Sequence, residues 1–598
     1  MTTTVLLDRQ LPRTLDAWTD ELLASHTTTT TAAGSAGTPF EAWLFEGATA
    51  RRAAERRLAD AGVRVRFRSA YKPLVHHFEE EVDVDGLSSV TVRYPVHPNA
   101  SPRRFSLEAY PLADMLAGVA LHLEAQAASE AVPRYEVELH WHDGRQRIDS
   151  VFAPNRFHRD LLGNEVLSPC AWFDGAPRSA DYEEVFHLAM RALHHHDWPT
   201  TEPYFERLDI RIDLPDSPRP PGAAWIDLHE AMHEDLYFSL LETFQQRSGR
   251  PLGDRRLQPG QIVPDVRASV DGSVSVRIAL RSYPALRDDA EAPGQGDTTS
   301  LAEVVAPLTP ARIAREMAAI DGTPFAAVTR QGRSVLGTRR AHGAPVPAVI
   351  VSGGQHANET SGVVGALRAA RTLAARADAD FALIALENPD GYALRHELCA
   401  HGPAQREHMQ HAARYTALGD DLEYRDRAPY YEREARHRAF ELTGATLHVN
   451  LHGYPAHEWT RPLSGYIPRG FDLWTVPKGF FLILRHHPGW ALQARQLAEH
   501  VCRRLGERAD LMAFNAAQLA TYNRHAGELP FEVIHGTACS ISEVDRPGPP
   551  LTLITEFPDE TVYGDAFVLA HDTQTATVLA AVDALSLLPP IQPIPPRP

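Results

Sequence analysis

The stretch Val346-Pro347-Ala348-Val349-Ile350-Val351, followed by Gly353-Gly354 and then His356-Ala357-Asn358-Glu359, joins an apolar run to a glycine turn and to two metal-ligating residue types. A short apolar run that ends in a turn reads as a strand buried on both faces of a sheet. An imidazole and a carboxylate three residues apart, leaving that strand on a turn that glycine permits, can close on one divalent ion without distorting a helix. This reads as half of a zinc site, and a further ligand would then have to come from elsewhere. Two later apolar runs carry a candidate at the same relative place. Thr446-Leu447-His448-Val449-Asn450-Leu451 ends at His452, and Leu551-Thr552-Leu553-Ile554-Thr555 ends at Glu556. In an open α/β sheet, ligands bind outside the carboxyl ends of the strands, so the three segments point to one crevice.

Working outward, strands over 348–351, 381–386, 446–451 and 551–555 alternate with helices over 361–375, 430–442, 490–505 and 565–588. This pattern predicts an α/β domain over 301–588, with a mixed, mostly parallel central sheet and helices on both faces. Thr309-Pro310 reads as an N-cap and a first-turn proline that open a helix just inside this domain. The charged, Gly- and Pro-containing stretch 287–300 lacks apolar periodicity and is expected to be the linker. Before it, residues 39–286 read as an α+β domain: strand 40–45, helix 48–61, strand 63–67, then alternating runs at 90–94 and 135–141. Residues 1–38 form a leading segment with a helix candidate and the polar low-complexity tract 27–37. The Pro-rich tail 589–598 is expected to be extended.

A length of 598 residues and a hydrophobic fraction of 43% fit two or three domains rather than one core. With 59 basic and 77 acidic residues the formal net charge is -18, which argues against nucleic acid or an anionic membrane as the main partner. Cys170, Cys399, Cys502 and Cys539 are widely spaced and form no CxxC pair, so a metal here is expected to be held by His and carboxylates. There is no basic-then-apolar leader and no run of about 20 apolar residues, and a cytoplasmic location is the expectation.

Four motifs share one order: Gly354-Gln355-His356-Ala357-Asn358-Glu359, Asn388-Pro389-Asp390-Gly391, Asn450-Leu451-His452-Gly453 and Thr555-Glu556. On these the C-terminal half resembles the zinc carboxypeptidases of the M14 family, whose metal site is built from His-x-x-Glu and a later His. The resemblance implies that His356, Glu359 and His452 hold Zn2+ and that Glu556 is the general base. Three N/O ligands leave a fourth position for water, whose pKa zinc lowers toward about 7. The segment from Arg414 to Arg425 is similar to the family stretch in which an arginine precedes Gly-x-Asp-Leu-Asn-Arg-Asn. Arg414 then matches the arginine that polarises the scissile carbonyl. The Asn-Arg pair that grips a terminal carboxylate is replaced by Glu423-Tyr424, an anion where a cation is expected. Either Arg425 or Arg427 takes over, or the substrate presents another group, so Glu423, Tyr424 and Arg425 are the candidate substrate contacts.

Several rivals have to be weighed, because 30 histidines make chance His-x-x-Glu matches common. His448 flanks the same strand as His452, but Gly453 lets backbone approach a ligand beside His452. Tyr522 is a candidate for the family's mobile tyrosine, and Glu543 with Asp545 for an acidic specificity pocket; a loop residue is the blander reading of each. His229-Glu230-Ala231-Met232-His233 satisfies H-E-x-x-H, yet no third ligand follows, and the spacing of Leu236, Leu240, Leu241 and Phe244 says that its helix packs into a core. The leading expectation is a zinc hydrolase acting on a peptide or amide bond. A deacylase for small N-acyl amino acids and a non-catalytic metal binder are the alternatives.

Overall fold

The computed structural model describes residues 3–29, 40–127, 133–217, 226–283, 298–341, 346–402 and 406–588. Residues 30–37 of the low-complexity tract, 287–297 of the expected linker and the whole tail 589–598 lie outside these.

A nine-stranded sheet organises the C-terminal half. Its order is Thr323–Val328, Ser334–Arg340, Phe381–Ile384, Val349–Gly353, Leu447–Pro455, Leu551–Glu560, Phe481–His486, Thr537–Glu543 and Glu532–Ile534. Four neighbouring pairs run parallel and four antiparallel, which corrects the expectation of a mostly parallel sheet. The three central strands Val349–Gly353, Leu447–Pro455 and Leu551–Glu560 are mutually parallel, and the antiparallel pairings come from the edges and from Phe481–His486.

Strand periodicity explains why these runs are apolar throughout. Val349 and Val351 face the helices Ser361–Ala374, Ala491–Gly506 and Asp565–Leu585 through Val363, Leu367, Leu497, Val501 and Val578. Ile350 points the other way, into a cluster with Ile384, Ala435 and Ala439, the last two from the helix Glu434–Thr443. Burial on both faces removes the polar alternation of a half-exposed strand. The helix Pro310–Ala318 starts as its sequence predicts, since the Thr309 side chain accepts from the Arg312 N–H at 3.2 Å.

The N-terminal half carries smaller sheets. One has the order Thr3–Leu11, Val274–Arg281, Arg207–Pro215, Gln261–Ser269. Residues 1–38, set apart in the sequence as a leading segment, thus supply an edge strand here, and Leu15 and Trp18 of the helix Thr14–Thr29 are buried in the adjoining core. That core does not stop at the linker. Leu44, Leu208, Leu236 and Phe244 share one apolar cluster with Trp459, Leu463, Tyr466 and Phe471, so the two halves bury a common surface. Among the described residues no helix is long and apolar enough to cross a membrane.

Candidate metal centre

The strand Val349–Gly353 ends in Gly354, which adopts φ +63°, and a Cβ there would lie 2.7 Å from Leu386 Cδ1. Only glycine takes this turn without strain. It delivers His356 and Glu359 to the carboxyl edge of the sheet. The neighbouring strand Leu447–Pro455 brings His452 to the same edge, and His452 pairs in register with Glu556 on Leu551–Glu560.

Ligand atoms of His356, Glu359 and His452 lie within 4.8 Å of one another, the sole such His/Cys/Asp/Glu group among the described residues. His356 Nδ1 is 2.7 Å from Glu359 Oε1 and His452 Nδ1 is 2.9 Å from Glu359 Oε2. The outer ring nitrogens are taken by other groups, His356 Nε2 by Asp421 Oδ2 at 3.3 Å and His452 Nε2 by Gln355 Oε1 at 3.1 Å. Orienting partners on the outer nitrogens, with the inner nitrogens turned toward the carboxylate of the same group, are what a His-bound metal requires. Two imidazoles and one carboxylate, with no thiolate, also suit zinc. The donor set therefore fits the ion.

The four residues are deeply enclosed: His356 is 4%, Glu359 2%, His452 5% and Glu556 8% exposed. Burial acts to raise the Glu359 carboxyl, but His356, His452 and Arg414 outweigh it and hold the group well below its ordinary range. Glu556 goes the other way. Burial and then Glu359 push it well above the carboxylate range, with Arg414, Lys478 and Arg255 opposing. Arg414 Nη1 sits 3.3 Å from Glu359 Oε1 and 3.4 Å from Glu560 Oε1. Lys478 lies among Tyr454, Trp474 and Phe481, with its Nζ 4.6, 4.7 and 5.0 Å from their ring centroids, and burial lowers it to about 7.

Other sequence candidates fall elsewhere. His448 is spent on Ser352 Oγ at 2.8 Å. Glu423 is ion-paired to Arg436 and Arg546. Arg425 uses all five donors, on Asp420, Thr416 Oγ1, Tyr430 O and Glu432, which leaves none for a substrate and corrects its place among the contacts. Tyr522 is buried on the helix Ala509–Ala526 rather than in a loop, and Glu543 and Asp545 are exposed. Sequence reasoning passed over Gln355, Asp421, Glu560 and Lys478. Asp421 stood in the quoted Gly-x-Asp stretch, and Gln355 in the motif next to His356, but no spacing in the sequence ties either to an imidazole.

Residues 324–455 match the family model described as zinc carboxypeptidase. The matched stretch holds His356, Glu359 and His452 and ends before Glu556. Among solved structures the chain is similar to a metallo-carboxypeptidase from Burkholderia cenocepacia, 14% identical over 52% of this chain and 74% of that one, with a TM-score of 0.28. It is also similar to a metallo-carboxypeptidase from Pseudomonas aeruginosa, 17% identical over 53% and 76%, TM-score 0.29. An aspartoacylase family protein from Mesorhizobium loti is 13% identical over 48% and 72%, TM-score 0.24. No curated protein matches the chain.

The H-E-x-x-H helix, Leu228–Ser248, faces this centre from the N-terminal half without forming a second one. Glu230 Oε2 pairs with His457 Nε2 at 2.8 Å and Oε1 accepts the Met409 N–H at 2.8 Å. Further along, Glu234 and Asp235 accept the Thr460 and Leu463 N–H groups at 2.5 and 2.6 Å. The helix's carboxylates, one of them the motif's glutamate, thus dock the two halves. Burial pushes Asp235 up to about 7 from an ordinary 3.8, with Arg461 opposing. A folded-state pKa above the unfolded one stabilises fully below the unfolded value, and this contribution is lost as pH rises through about 7. Asp235→Asn fixes the neutral form, so its melting temperature relative to the parent should improve between about pH 5 and about pH 8. A difference that stays constant across that range would mean that Asp235 is ionised throughout.

Proposed function

We propose that the chain is a zinc-dependent hydrolase that cleaves a peptide or amide bond, with His356, Glu359 and His452 as ligands and Glu556 as general base. The observation that carries this is the convergence of three ligand side chains at one sheet edge, with a non-ligand carboxylate in register on the next strand. The zinc carboxypeptidase match over residues 324–455 supports it. When bound, zinc is a Lewis acid that polarises a carbonyl and lowers the pKa of a coordinated water toward about 7. Asp421 and Gln355 orient the two imidazoles. Arg414, fixed beside Glu359, presents a guanidinium to the oxygen on which negative charge develops. Glu556, which a bound cation would help to ionise against the push from burial and Glu359, would take the proton of the attacking water and pass it to the leaving amine.

A second reading is a deacylase for small N-acyl amino acids. It is favoured by the enclosure of the site and by Tyr424 at the position where a terminal carboxylate clamp is expected. The two separate on substrates. Zinc-loaded protein should release the terminal residue from free-acid peptides and not from C-terminally amidated ones. Cleavage confined to N-acyl amino acids would select the deacylase, and no cleavage of any of the three would remove the hydrolase reading.

A further inference from the structure

We propose that Arg436 is a positioning residue of the metal centre, its guanidinium fixing Gln355 against His452, and that Glu423 is the carboxylate that holds this guanidinium and not a substrate contact. The inference rests on the zinc reading above and names what keeps its imidazoles turned toward the ion. Glu423 is the anion at the place where a carboxylate clamp is expected, and this role accounts for its charge.

Gln355 is the link. Its Oε1 accepts from His452 Nε2 at 3.1 Å, from Asn450 Nδ2 at 2.9 Å and from Arg436 Nη2 at 2.5 Å. Its Nε2 donates to Asp421 Oδ1 at 2.7 Å, and Asp421 is the outer partner of His356. A histidine that ligates through Nδ1 carries its proton on Nε2 and needs an acceptor there. The Gln355 amide supplies one in a single orientation, since a flip would set an N–H against the His452 proton. Three donors on Oε1 and a carboxylate on Nε2 oppose the flip. Arg436 is the permanently charged donor of the three and makes the stronger bond.

Arg436 stands in the first turn of the helix Glu434–Thr443, and its side chain is 11% exposed. Its Nε and Nη2 donate to the two carboxylate oxygens of Glu387, both at 2.5 Å, and its Nη1 donates to Glu423 Oε2. Glu387 sits beside the turn that delivers His356, with its backbone N–H bonded to Gly353 O at 3.0 Å. Glu423 is engaged on both oxygens, Oε1 by Arg546 and Oε2 by Arg436. Three acceptors met at once need the planar fork of a guanidinium, because a lysine ammonium is a point charge on a flexible stem. Glu387 and Glu423 thus fix which way the fork faces, and the fork fixes Gln355.

Zinc titration of the metal-free full chain in competition with a zinc-chelating dye tests this apart from turnover. Gln355→Met should weaken zinc binding by about ten- to a hundredfold, the cost of losing a ligand's orienting partner. Arg436→Lys keeps the charge and loses the fork, and should weaken it by about tenfold. Glu423→Gln, which keeps the shape, should act in the same direction. Both effects should vanish in the Gln355→Met background, where the route to His452 is gone, whereas an effect of charge alone on the ion would persist there. Thermal melts of the metal-free samples check folding, and if Arg436→Lys does not fold, Glu423→Gln with and without Gln355→Met decides by the same comparison. Zinc affinity unchanged in the folded variants, or lowered as much with Gln355→Met as without it, overturns the inference alone. A parent that binds no zinc overturns the zinc reading and the inference with it.

Discussion

Glu556→Gln should keep its zinc and lower turnover by about a hundred- to ten-thousand-fold, the usual cost of losing a general base. Glu556 is outside the converging ligand group, so the metal has no need of it. Its place opposite His452 in the parallel ladder nevertheless puts it at the same edge as the ligands. Glutamine has the same shape and keeps the strand pairing, but its amide cannot take up a proton at neutral pH. Four charged groups, Glu359 raising and Arg414, Lys478 and Arg255 lowering, act on this one carboxyl, which is the arrangement of a tuned acid–base group rather than of a solvated loop residue. Zinc content and rate have to be read from the same preparation. Full activity at full occupancy would take Glu556 out of the mechanism, and loss of zinc would make it a ligand.

What could be read from sequence was what is local. His356 and Glu359 stand in one turn, and the glycine that permits the turn is beside them, so residue types and spacing sufficed. Thr309-Pro310 was readable for the same reason, since a cap and the helix that it starts are neighbours. Strand direction was not. Whether Phe481–His486 runs with or against Leu551–Glu560 depends on pairing between distant segments, and no periodicity encodes it. The helix Ala509–Ala526 also escaped notice. Glu423-Tyr424 shows the limit most sharply. Glu423 was visible as an anion in place of a cation, but its partners Arg436 and Arg546 and the arginine stacked on Tyr424 all come from elsewhere in the chain. In the same way, H-E-x-x-H states that two imidazoles share a helix face and says nothing of His457, which claims the glutamate.

That ambiguity makes the metal itself the sharper discriminator. His356→Ala should empty the site, while His229→Ala should leave one zinc per chain. His356 is one of the three proposed ligands, and even loss of a residue that merely orients a ligand costs about ten- to a hundredfold in affinity, so removing the ligand itself has to cost more. The two imidazoles of the N-terminal motif are placed differently. His229 and His233 join no converging ligand group among the described residues, and the motif's Glu230 is bound to His457 and Met409. Their helix joins the shared core through Leu236, Leu240 and Phe244, so His229→Ala should lower the melting temperature and leave the zinc in place. Metal analysis after dialysis, run beside thermal melts of the same samples, reads both effects. Zinc lost from His229→Ala and retained by His356→Ala would move the centre to the N-terminal half and make the His-x-x-Glu turn a structural feature of the sheet edge.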